Sequence, residues 1–419
     1  MKPTTTATWR LVCTECGETY DEQAVRYVCP RCAQQQQPGG VTRGVLQVSW
    51  QPEALRAGWR RALGVPDRIG LERYRDLLPV GPSAPRIPLL VGDTPTLDVP
   101  RLRSRIGMPR LFVKDDTRNP SASYKDRASA LVCMKAAEYG EKTIVAASTG
   151  NAATALSCVA ASLGQRAVIF VPASAPPAKL VQMLCYGAEV VPVDGTYDQA
   201  FELSLEATRR FGWYNRNTAF NPFTVEGKKT SAFEIVLALG KVPDAVVVPV
   251  GDGVIISGVA KGFRDMIAAG AIDRMPRLIA VQAEGSASIA RAVRSGADLE
   301  PTIDAHTVAD SICVSAPRAG LLAVREIRAS GGAGVIVSDE AILEAIGELA
   351  RHAAVFAEPA GAAAHAGLLA ALQQGLVTPK DDVVLLVTGH GLKDIASASK
   401  GVKIPSAIRP DAEALKERF

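Results

Sequence analysis

Segments typical of β-strands alternate with segments typical of α-helices along most of this chain, and this alternation restricts its fold more than any other feature. Strand patterns at residues 167–171, 189–193 and 278–282 are separated by helical patterns that include residues 178–186 and 198–211. A strand that is followed by a helix and then another strand favours parallel pairing, with helices covering both faces of the sheet. The predicted fold class is therefore α/β.

Composition agrees with this class and excludes several others. The chain has 419 residues, of which 47% are hydrophobic and 5% aromatic, and this length predicts more than one domain. The formal net charge of +4 is too small to indicate a nucleic-acid surface. Residues 1–10 lack the apolar core of a signal peptide, and no apolar run reaches membrane-spanning length. We expect small-molecule partners, no nucleic acid and no membrane.

Two Cys-x-x-Cys pairs near the N-terminus predict a metal site. Cys13 and Cys16 are followed after twelve residues by Cys29 and Cys32. Four thiolates on two tight turns suit tetrahedral zinc, and a site with four cysteine ligands has no open position for catalysis. Iron and a redox pair are the alternatives. The site is predicted to be a structural zinc ribbon, and reduced cysteines of this kind favour the cytoplasm.

The other four cysteines lie among alanine and valine residues and are predicted to be buried apolar groups; they are Cys133, Cys158, Cys185 and Cys313. Residues 34–40, with four glutamines before Pro38, Gly39 and Gly40, form a polar low-complexity tether after the cysteine pairs. We therefore expect the ribbon to be mobile or loosely docked.

A lysine stands at a predicted strand-to-helix corner. Lys125 lies in the segment 119–127, which is rich in small and polar residues, between a strand pattern at 111–115 and a helical pattern at 128–139. The positive end of a helix dipole disfavours a charged amine, and an uncharged amine attacks an aldehyde to form a Schiff base. Taken alone, a lysine at a helix start is usually a solvated surface charge.

Three more motifs follow strand patterns and carry glycines, hydroxyls or amides. Ser148, Thr149, Gly150 and Asn151 follow the strand pattern at 143–147, where a helix N-terminus can receive an anionic group. A simple helix N-cap is the alternative interpretation.

The second motif is a glycine turn after the strand pattern at 246–250, which is typical of a phosphate cradle; it comprises Gly251, Asp252, Gly253, Val254 and Ile255. The third is Thr388, at the end of the strand pattern at 384–387. Its hydroxyl can meet a ring nitrogen, or it is an ordinary strand-end residue.

In their order and spacing these motifs resemble those of threonine synthase and its relatives, in the tryptophan synthase β-subunit-like class of pyridoxal-phosphate (PLP) enzymes. The resemblance covers essentially the whole chain. It implies two doubly wound domains of parallel or mixed sheet with PLP between them, and the zinc ribbon is a known addition in this family. The implied boundaries are residues 1–40 for ribbon and linker, 41–126 and 222–419 for the large PLP domain, and 127–221 for a smaller mobile domain.

The resemblance also implies roles for individual residues. Lys125 would be the catalytic residue and would carry the cofactor. Asn151 would bond the ring 3-oxygen, Thr388 the pyridine nitrogen, and the loop Gly251, Asp252, Gly253, Val254 and Ile255 the cofactor's phosphate. Ser148, Thr149 and Gly150 would receive the substrate carboxylate.

Two departures from the family pattern concern phosphate binding. The usual Gly-Asn-Ala-Gly-Asn of the phosphate loop is replaced by residues 251–255, and Thr224 stands where an arginine is usual. The segment 226–230, Glu-Gly-Lys-Lys-Thr, closely matches the family's Glu-Gly-Gln-Lys-Thr. Lys228 is predicted to bind substrate, and Arg216 and Lys229 are further candidates to replace the missing arginine. Solvated charges are the alternative for all three.

The resemblance predicts a PLP-dependent carbon-oxygen lyase of threonine biosynthesis, which converts O-phospho-L-homoserine and water to L-threonine and phosphate. Two enzymes of the same fold are alternatives: a threonine or serine ammonia-lyase, and a β-replacement enzyme such as cysteate synthase. A non-catalytic binding protein with a zinc ribbon is a third. Relatives are commonly dimers, so a cytoplasmic homodimer is expected.

Overall fold

The computed structural model of the protein describes residues 8–37, 39–65, 67–301, 304–410 and 412–418. Its strands are β1 Trp9–Cys13, β2 Thr19–Tyr20, β3 Leu46–Trp50, β4 Thr96–Asp98, β5 Leu111–Asp115, β6 Thr143–Ala147, β7 Arg166–Pro172, β8 Glu189–Val193, β9 Tyr214–Asn215, β10 Ala245–Pro249, β11 Arg277–Ala283, β12 Ala333–Val337 and β13 Val383–Val387.

The helices cover the faces of the sheets and connect their strands. They are α1 Pro30–Ala33, α2 Pro52–Leu63, α3 Pro100–Ile106, α4 Lys125–Glu138, α5 Asn151–Ser162, α6 Pro177–Cys185, α7 Tyr197–Phe211, α8 Phe223–Glu226, α9 Thr230–Leu239, α10 Val254–Ala268, α11 Ser288–Ser295, α12 Gly320–Ala329, α13 Asp339–Ala353, α14 Pro359–Gln373, α15 Ile395–Ser399 and α16 Ala412–Arg418. None of these helices is both long enough and apolar enough to cross a bilayer, within the residues that the structure describes.

A six-stranded sheet has the order β12-β11-β10-β13-β5-β4. Its pairs are parallel, except that the edge strand β4 runs antiparallel to β5. The strands β10 and β13 are fully buried runs of valine, leucine and alanine with one proline, as expected for strands covered on both faces. The predicted parallel sheet with helices on both faces is confirmed.

A four-stranded parallel sheet with the order β8-β7-β6-β9 is formed by residues that lie between β5 and β10 in the chain. The strand β6 occupies a central position, and its buried residues pack on α4 and α5 on one side and on α7 on the other. The chain thus builds two α/β sheets, one inserted within the sequence of the other.

The N-terminal residues form a small antiparallel sheet with the order β2-β1-β3. The ribbon is firmly docked, so the prediction of a mobile or loosely docked ribbon is wrong. Tyr27 stacks on Phe220 with ring centroids 4.6 Å apart and accepts a hydrogen bond from Asn215 N at 3.0 Å. Glu22 forms an ion pair of 2.7 Å with the buried Lys135. Aromatic and charged side chains of the ribbon therefore join it to α4 and to the residues around β9.

Candidate active site

The carboxyl ends of strands from both α/β sheets meet around one cavity and its adjoining recess. The loops after β5, β10 and β13 of the six-stranded sheet and after β6 and β9 of the four-stranded sheet contribute to their lining. This cavity has a volume of about 390 Å³ and continues into a smaller recess of about 40 Å³. Ligands of open α/β sheets bind at the carboxyl ends of strands, where the strand order reverses. In the six-stranded sheet the strand order reverses at β10, because β11 lies on one side of β10 and β13 lies on the other.

Lys125 is the first residue of α4 and lines both the cavity and the recess. The preceding residue is tied to the end of β13, because Tyr124 N donates to Thr388 O at 2.8 Å. Burial lowers the pKa of Lys125 and nearby Arg216 lowers it further, against the opposing charges of Asp252 and Glu358. The predicted helix start is confirmed, and the lysine is partly buried in a cavity instead of being a solvated surface charge.

Ser148, Thr149, Gly150 and Asn151 line the cavity opposite Lys125. The N-cap residue of α5 is Gly150, and no side chain of the segment makes a capping hydrogen bond, so the interpretation of this segment as a simple side-chain N-cap is wrong. The Asn151 amide instead donates to both carboxylate oxygens of Glu358, at 2.8 and 3.0 Å.

Glu358 was not predicted from the sequence. It is 4% exposed and directly precedes α14, and burial raises its pKa. The signal that could have revealed it is the Glu-Pro pair at the start of an alanine-rich helical pattern, since proline is favoured in the first helical turn.

The glycine turn after β10 forms part of the recess. Gly253 has a φ of +87°, and a Cβ at this position would come within 2.7 Å of Ala323 Cβ. Val254 begins α10 and Ile255 follows it, so the first N–H groups of that helix face the turn. Asp252 accepts a hydrogen bond from Arg318 N at 3.0 Å through Oδ1. Glycine is needed in this turn, whereas the charged Asp252 is unusual beside an anion site.

Thr388 directly follows β13 and is 7% exposed. It lines the recess together with Lys125, Asn151 and Glu358. The residues predicted from four separate motifs are therefore brought together around one space.

Arg216, Lys228 and Lys229 are the three candidates for phosphate binding, and the structure places them in different surroundings. Arg216 lines the cavity, is 1% exposed, and donates to Ser129 and Thr218. Its Nη2 has no hydrogen-bond partner among the described residues. Lys229 Nζ is instead paired with Glu226 at 2.6 Å and Asp265 at 2.7 Å. All three candidates are buried, so the interpretation as solvated charges is wrong. The charge of Lys229 is already balanced by two carboxylates, and its side chain lines neither the cavity nor the recess.

Lys228 lies outside the lining of both spaces, although it was predicted with the substrate site. Its side chain is fully buried, and its Nζ finds no hydrogen-bond partner in the part of the chain that the structure describes. The pKa of Lys228 is held well below its ordinary value by burial and by the charges of Lys125 and Arg216.

The cavity mouth contains an ion pair that was not predicted from the sequence. Arg318 donates to Asp198 at 2.6 Å and to Gly40 O at 2.7 Å, and its guanidinium lies 4.5 Å from the ring centroid of Phe201. Arg318 precedes α12, whereas Asp198 and Phe201 belong to α7. This contact therefore joins the two α/β sheets across the cavity.

The four predicted metal ligands form a separate cluster in the ribbon. Sγ of Cys13 lies 3.7 Å from that of Cys32, and Cys16 is equally far from Cys29. All four sulfur atoms lie within 4.8 Å of one another and could hold a zinc ion. Of the remaining cysteines, Cys133 and Cys158 are buried as predicted, Cys313 is partly exposed, and Cys185 is exposed, because it lies at the surface end of α6.

The residues around the recess fit pyridoxal phosphate. Lys125 provides an amine of lowered pKa that can react with the aldehyde of the cofactor. A glycine turn that leads into the 15-residue helix α10 offers N–H groups to its phosphate. The hydroxyl of Thr388, in the same recess, offers a neutral hydrogen-bonding partner to its ring nitrogen.

Comparison with known proteins agrees with this fit. The sequence profile of the family described as pyridoxal-phosphate dependent enzyme matches residues 87–389. The threonine synthase of Methanocaldococcus jannaschii is 34% identical over 407 residues, which cover 96% of this chain and 98% of that protein. The threonine synthase of a Synechocystis species is 38% identical over 366 residues, which cover 86% and 91%.

Solved structures share the fold at lower sequence identity. Threonine deaminase isoform 2 of Solanum lycopersicum superposes with a TM-score of 0.66 at 23% identity, covering 87% of this chain and 95% of the other. Maize serine racemase has a TM-score of 0.64 at 22% identity, covering 81% and 93%. These likenesses concern the fold alone. The family profile and the full-length relatives together show that the chain belongs to the threonine synthases, within the family of pyridoxal-phosphate dependent enzymes.

Proposed function

We propose that this protein is a threonine synthase that converts O-phospho-L-homoserine and water to L-threonine and phosphate. The observation that carries the proposal is that the Lys125 amine and the Arg216 guanidinium line the same cavity. One group can move protons, and the other can receive a departing phosphate. The identity of 34% to the threonine synthase of Methanocaldococcus jannaschii, over nearly its full length, supports this assignment.

When bound, PLP supplies an electron sink for the carbon atoms next to the substrate amine. We propose that Lys125 carries it, with Asn151 at the ring oxygen, Thr388 at the ring nitrogen, and the turn of Gly251, Asp252, Gly253, Val254 and Ile255 at the phosphate. Glu358 holds the Asn151 amide by two hydrogen bonds and so fixes its orientation.

Lys125 is the proposed proton carrier of the reaction. Burial and Arg216 lower its pKa, which increases the fraction of neutral amine near neutral pH. A neutral Nζ can take the proton from the substrate Cα and return a proton later. Loss of a Cβ proton then allows the γ-phosphate to depart, and Cγ takes up a proton to become the methyl group. Addition of the water oxygen at Cβ, with return of a proton to Cα, completes the conversion to threonine.

Arg216 is the proposed anchor of the substrate phosphate. It would replace the arginine that the family usually carries at the position of Thr224. Thr224 is buried and its hydroxyl donates to Asn221 O at 2.7 Å, so it is occupied within the fold. Arg216 retains one N–H group without a partner among the described residues. Guanidinium binds phosphate through charge-assisted hydrogen bonds. Ser148, Thr149 and Gly150, at the start of α5, are the proposed site of the substrate carboxylate.

We further propose the domain division 1–40, 41–126, 127–221 and 222–419, in a cytoplasmic homodimer. The distribution of strands supports the inserted segment 127–221, because β6 to β9 form one sheet and β4, β5 and β10 to β13 form the other. It does not support the boundary at residue 40, because β3 pairs with β1 in the ribbon sheet. Closure of the inserted domain would exclude water from the cavity, and the ion pair between Arg318 and Asp198 is positioned to hold the closed arrangement.

The experiment is to incubate the pure protein with O-phospho-L-homoserine and to measure phosphate and threonine. We expect the two products in equal amounts and no turnover by Lys125→Ala. Arg216→Gln should lower kcat/KM by about 10–100-fold, and Arg216→Lys by less, since one charge-assisted contact contributes about 1.5–3 kcal/mol.

Parallel incubations with threonine, and with phosphoserine and sulfite, test the alternative enzymes of the same fold. Release of ketobutyrate from threonine, or of cysteate from phosphoserine and sulfite, without phosphate release from phosphohomoserine, would overturn the proposal.

A further inference from the structure

Lys228 is a buried amine whose position demands an explanation. The residue is fully buried, and its Nζ has no hydrogen-bond partner within the described residues. An isolated ammonium group in a protein interior is strongly unfavourable, so such a group loses its proton or pairs with an anion. A long polar side chain held in this way is suited to a ligand that brings its own negative charge.

Lys228 packs between α10 and Tyr124. In α10, a Cβ at Gly258 would come within 2.6 Å of Lys228 Cβ, so the glycine permits close approach there. On the other side, the hydroxyl of Tyr124 donates to Lys228 O at 2.7 Å, directly before Lys125 in the chain. Lys228 is thus fixed against α10 about one helical turn beyond Gly253, where the glycine turn ends.

The charges of three groups of the site act on Lys228. Lys125 begins α4, Arg216 follows β9, and Asp252 follows β10; the first two disfavour a proton on Lys228 and Asp252 favours it. The neighbouring Lys229 is paired with two carboxylates, and their charges raise its pKa. Burial and two positive charges thus hold the pKa of Lys228 well below its ordinary value, whereas two carboxylates raise the pKa of Lys229.

Asp252 creates the need for such a cation. Its carboxylate lies within the glycine turn, lines both the cavity and the recess, and would repel a phosphate dianion bound there. In the family pattern that this chain resembles, the positions of Asp252 and Lys228 carry asparagine and glutamine, which are both uncharged. The two departures thus add one potential negative and one potential positive charge, and the charge of Asp252 acts on Lys228.

We infer that Lys228 and Asp252 act as a charge-compensating pair, in which Lys228 provides the positive charge that allows the cofactor's phosphate to bind beside Asp252. Lys228 takes up a proton when the phosphate binds, and the helix start of α10 supplies N–H donors. This assigns Lys228 to the cofactor and Arg216 to the substrate. The inference rests on the use of PLP and is independent of which amino acid is turned over.

The test compares pyridoxine 5′-phosphate with pyridoxine. Neither has the aldehyde that Lys125 would attack, and they differ only in the phosphate. The dissociation constants are measured by calorimetry on the full chain freed of cofactor, for wild type, Lys228→Gln, Asp252→Asn and the double variant. Lys228→Arg is the control that keeps a cation.

We expect Lys228→Gln to weaken the binding of pyridoxine 5′-phosphate by about 10–100-fold and to leave the binding of pyridoxine unchanged. Asp252→Asn should bind the phosphate compound at least as tightly as wild type. The double variant should recover most of the affinity that Lys228→Gln loses, and Lys228→Arg should lose less than Lys228→Gln. Equal affinity of wild type and Lys228→Gln for the phosphate compound, or equal losses for both compounds, would overturn the inference.

Proton uptake on binding can be measured on the wild type alone, so this second test does not depend on whether a variant folds. Binding heats in two buffers of different ionisation enthalpy, at about pH 8, should show uptake of roughly one proton with pyridoxine 5′-phosphate beyond that with pyridoxine, because the phosphate is already a dianion there. No additional uptake would contradict the inference.

Inhibition of the holoenzyme by inorganic phosphate separates the two phosphate sites. It should be unaffected by Lys228→Gln and weakened by Arg216→Gln. The opposite pattern would place Lys228 with the substrate and overturn its assignment to the cofactor. Failure of the proposed reaction would leave the pyridoxine comparison intact, so the two proposals fail separately.

Discussion

The side-chain amide of Asn151 donates to both carboxylate oxygens of Glu358, across 207 positions of the sequence. Asn151 begins α5, which packs on the four-stranded sheet, and Glu358 precedes α14 on the six-stranded sheet. One bidentate contact therefore connects the two sheets beside Lys125. It also fixes the orientation of an amide that the proposed function places at the cofactor ring.

Glu358→Ala should lower the free energy of unfolding by about 1–3 kcal/mol, because it removes both carboxylate acceptors of the buried Asn151 amide and leaves it, among the described residues, only the longer contact to Ser311 Oγ at 3.2 Å. Glu358→Gln should lose clearly less, since one side-chain oxygen can still accept from Asn151. Urea unfolding of the three proteins at one pH measures the difference. Equal losses in both variants would show that the hydrogen bonds contribute little.

Stability should fall with rising pH because of Asp126. The carboxyl group is fully buried, and burial raises its pKa from 3.8 to about 7. The folded protein holds this proton more tightly than the unfolded chain, so the stabilisation is complete below about pH 4 and is lost as the pH rises through about 7.

Asp126→Asn should remove this dependence, because asparagine keeps an oxygen that can accept from Ser121 N and does not titrate. Between pH 5 and pH 8 the wild type should lose on the order of 2 kcal/mol more than the variant. Urea unfolding at the two pH values tests this. Parallel pH profiles for both proteins would exclude Asp126 as the source.

Removal of the ribbon's metal should lower stability while leaving the cofactor bound. The four thiols are remote from the cavity lining, but the ribbon is tied to the body by Lys135 and Glu22 and by the stacked Tyr27 and Phe220. A chelator should therefore lower the midpoint of thermal unfolding. Calorimetry and the visible absorbance of the cofactor, recorded together, give the result. Loss of that absorbance well below the unfolding temperature would contradict the prediction.

Two helical glycines should respond to alanine in opposite directions. A Cβ at Gly262 in α10 would come within 2.4 Å of Lys229 O and 2.7 Å of Ala232 Cβ, so Gly262→Ala should cost about 1–3 kcal/mol. A Cβ at Gly347 in α13 meets only the mobile end of the exposed Arg351 side chain.

Gly347→Ala should therefore stabilise the protein by up to about 1 kcal/mol through helix propensity. Chemical unfolding of both variants provides the comparison. Similar changes in the free energy of unfolding of the two variants would mean that the close approach of the Lys229 backbone to α10 does not restrict the residue type at position 262.

Local patterns predicted much of the site. Lys125 begins α4, and the glycine turn at residues 251–253 leads into α10, as expected, because strand ends and helix starts are encoded in a few neighbouring residues. Parallel pairing then brings several such ends to the same edge of a sheet, so Thr388 and Lys125 meet although they are far apart in the sequence.

Contacts between distant segments could not be predicted in this way. Glu358 and Arg318 acquire their roles only from partners on the other sheet, and no local pattern names those partners. Lys228 and Lys229 are adjacent and identical in type, yet one meets two carboxylates and the other meets none among the described residues. The ribbon's docking likewise depends on aromatic and charged side chains whose partners lie more than a hundred residues away.

The position of β13 bears on how this protein forms during synthesis. It is the last strand of the six-stranded sheet to appear in the chain, yet it pairs with both β10 and β5 near the centre. The ribbon sheet and the four-stranded sheet have all their strands by residue 215. In contrast, β5 cannot pair with β13 until residues 383–387 have left the ribosome. N-terminal units generally fold first on a nascent chain. The pocket around Lys125 is therefore one of the last parts to become complete, and a partly made chain cannot retain the cofactor between its two sheets.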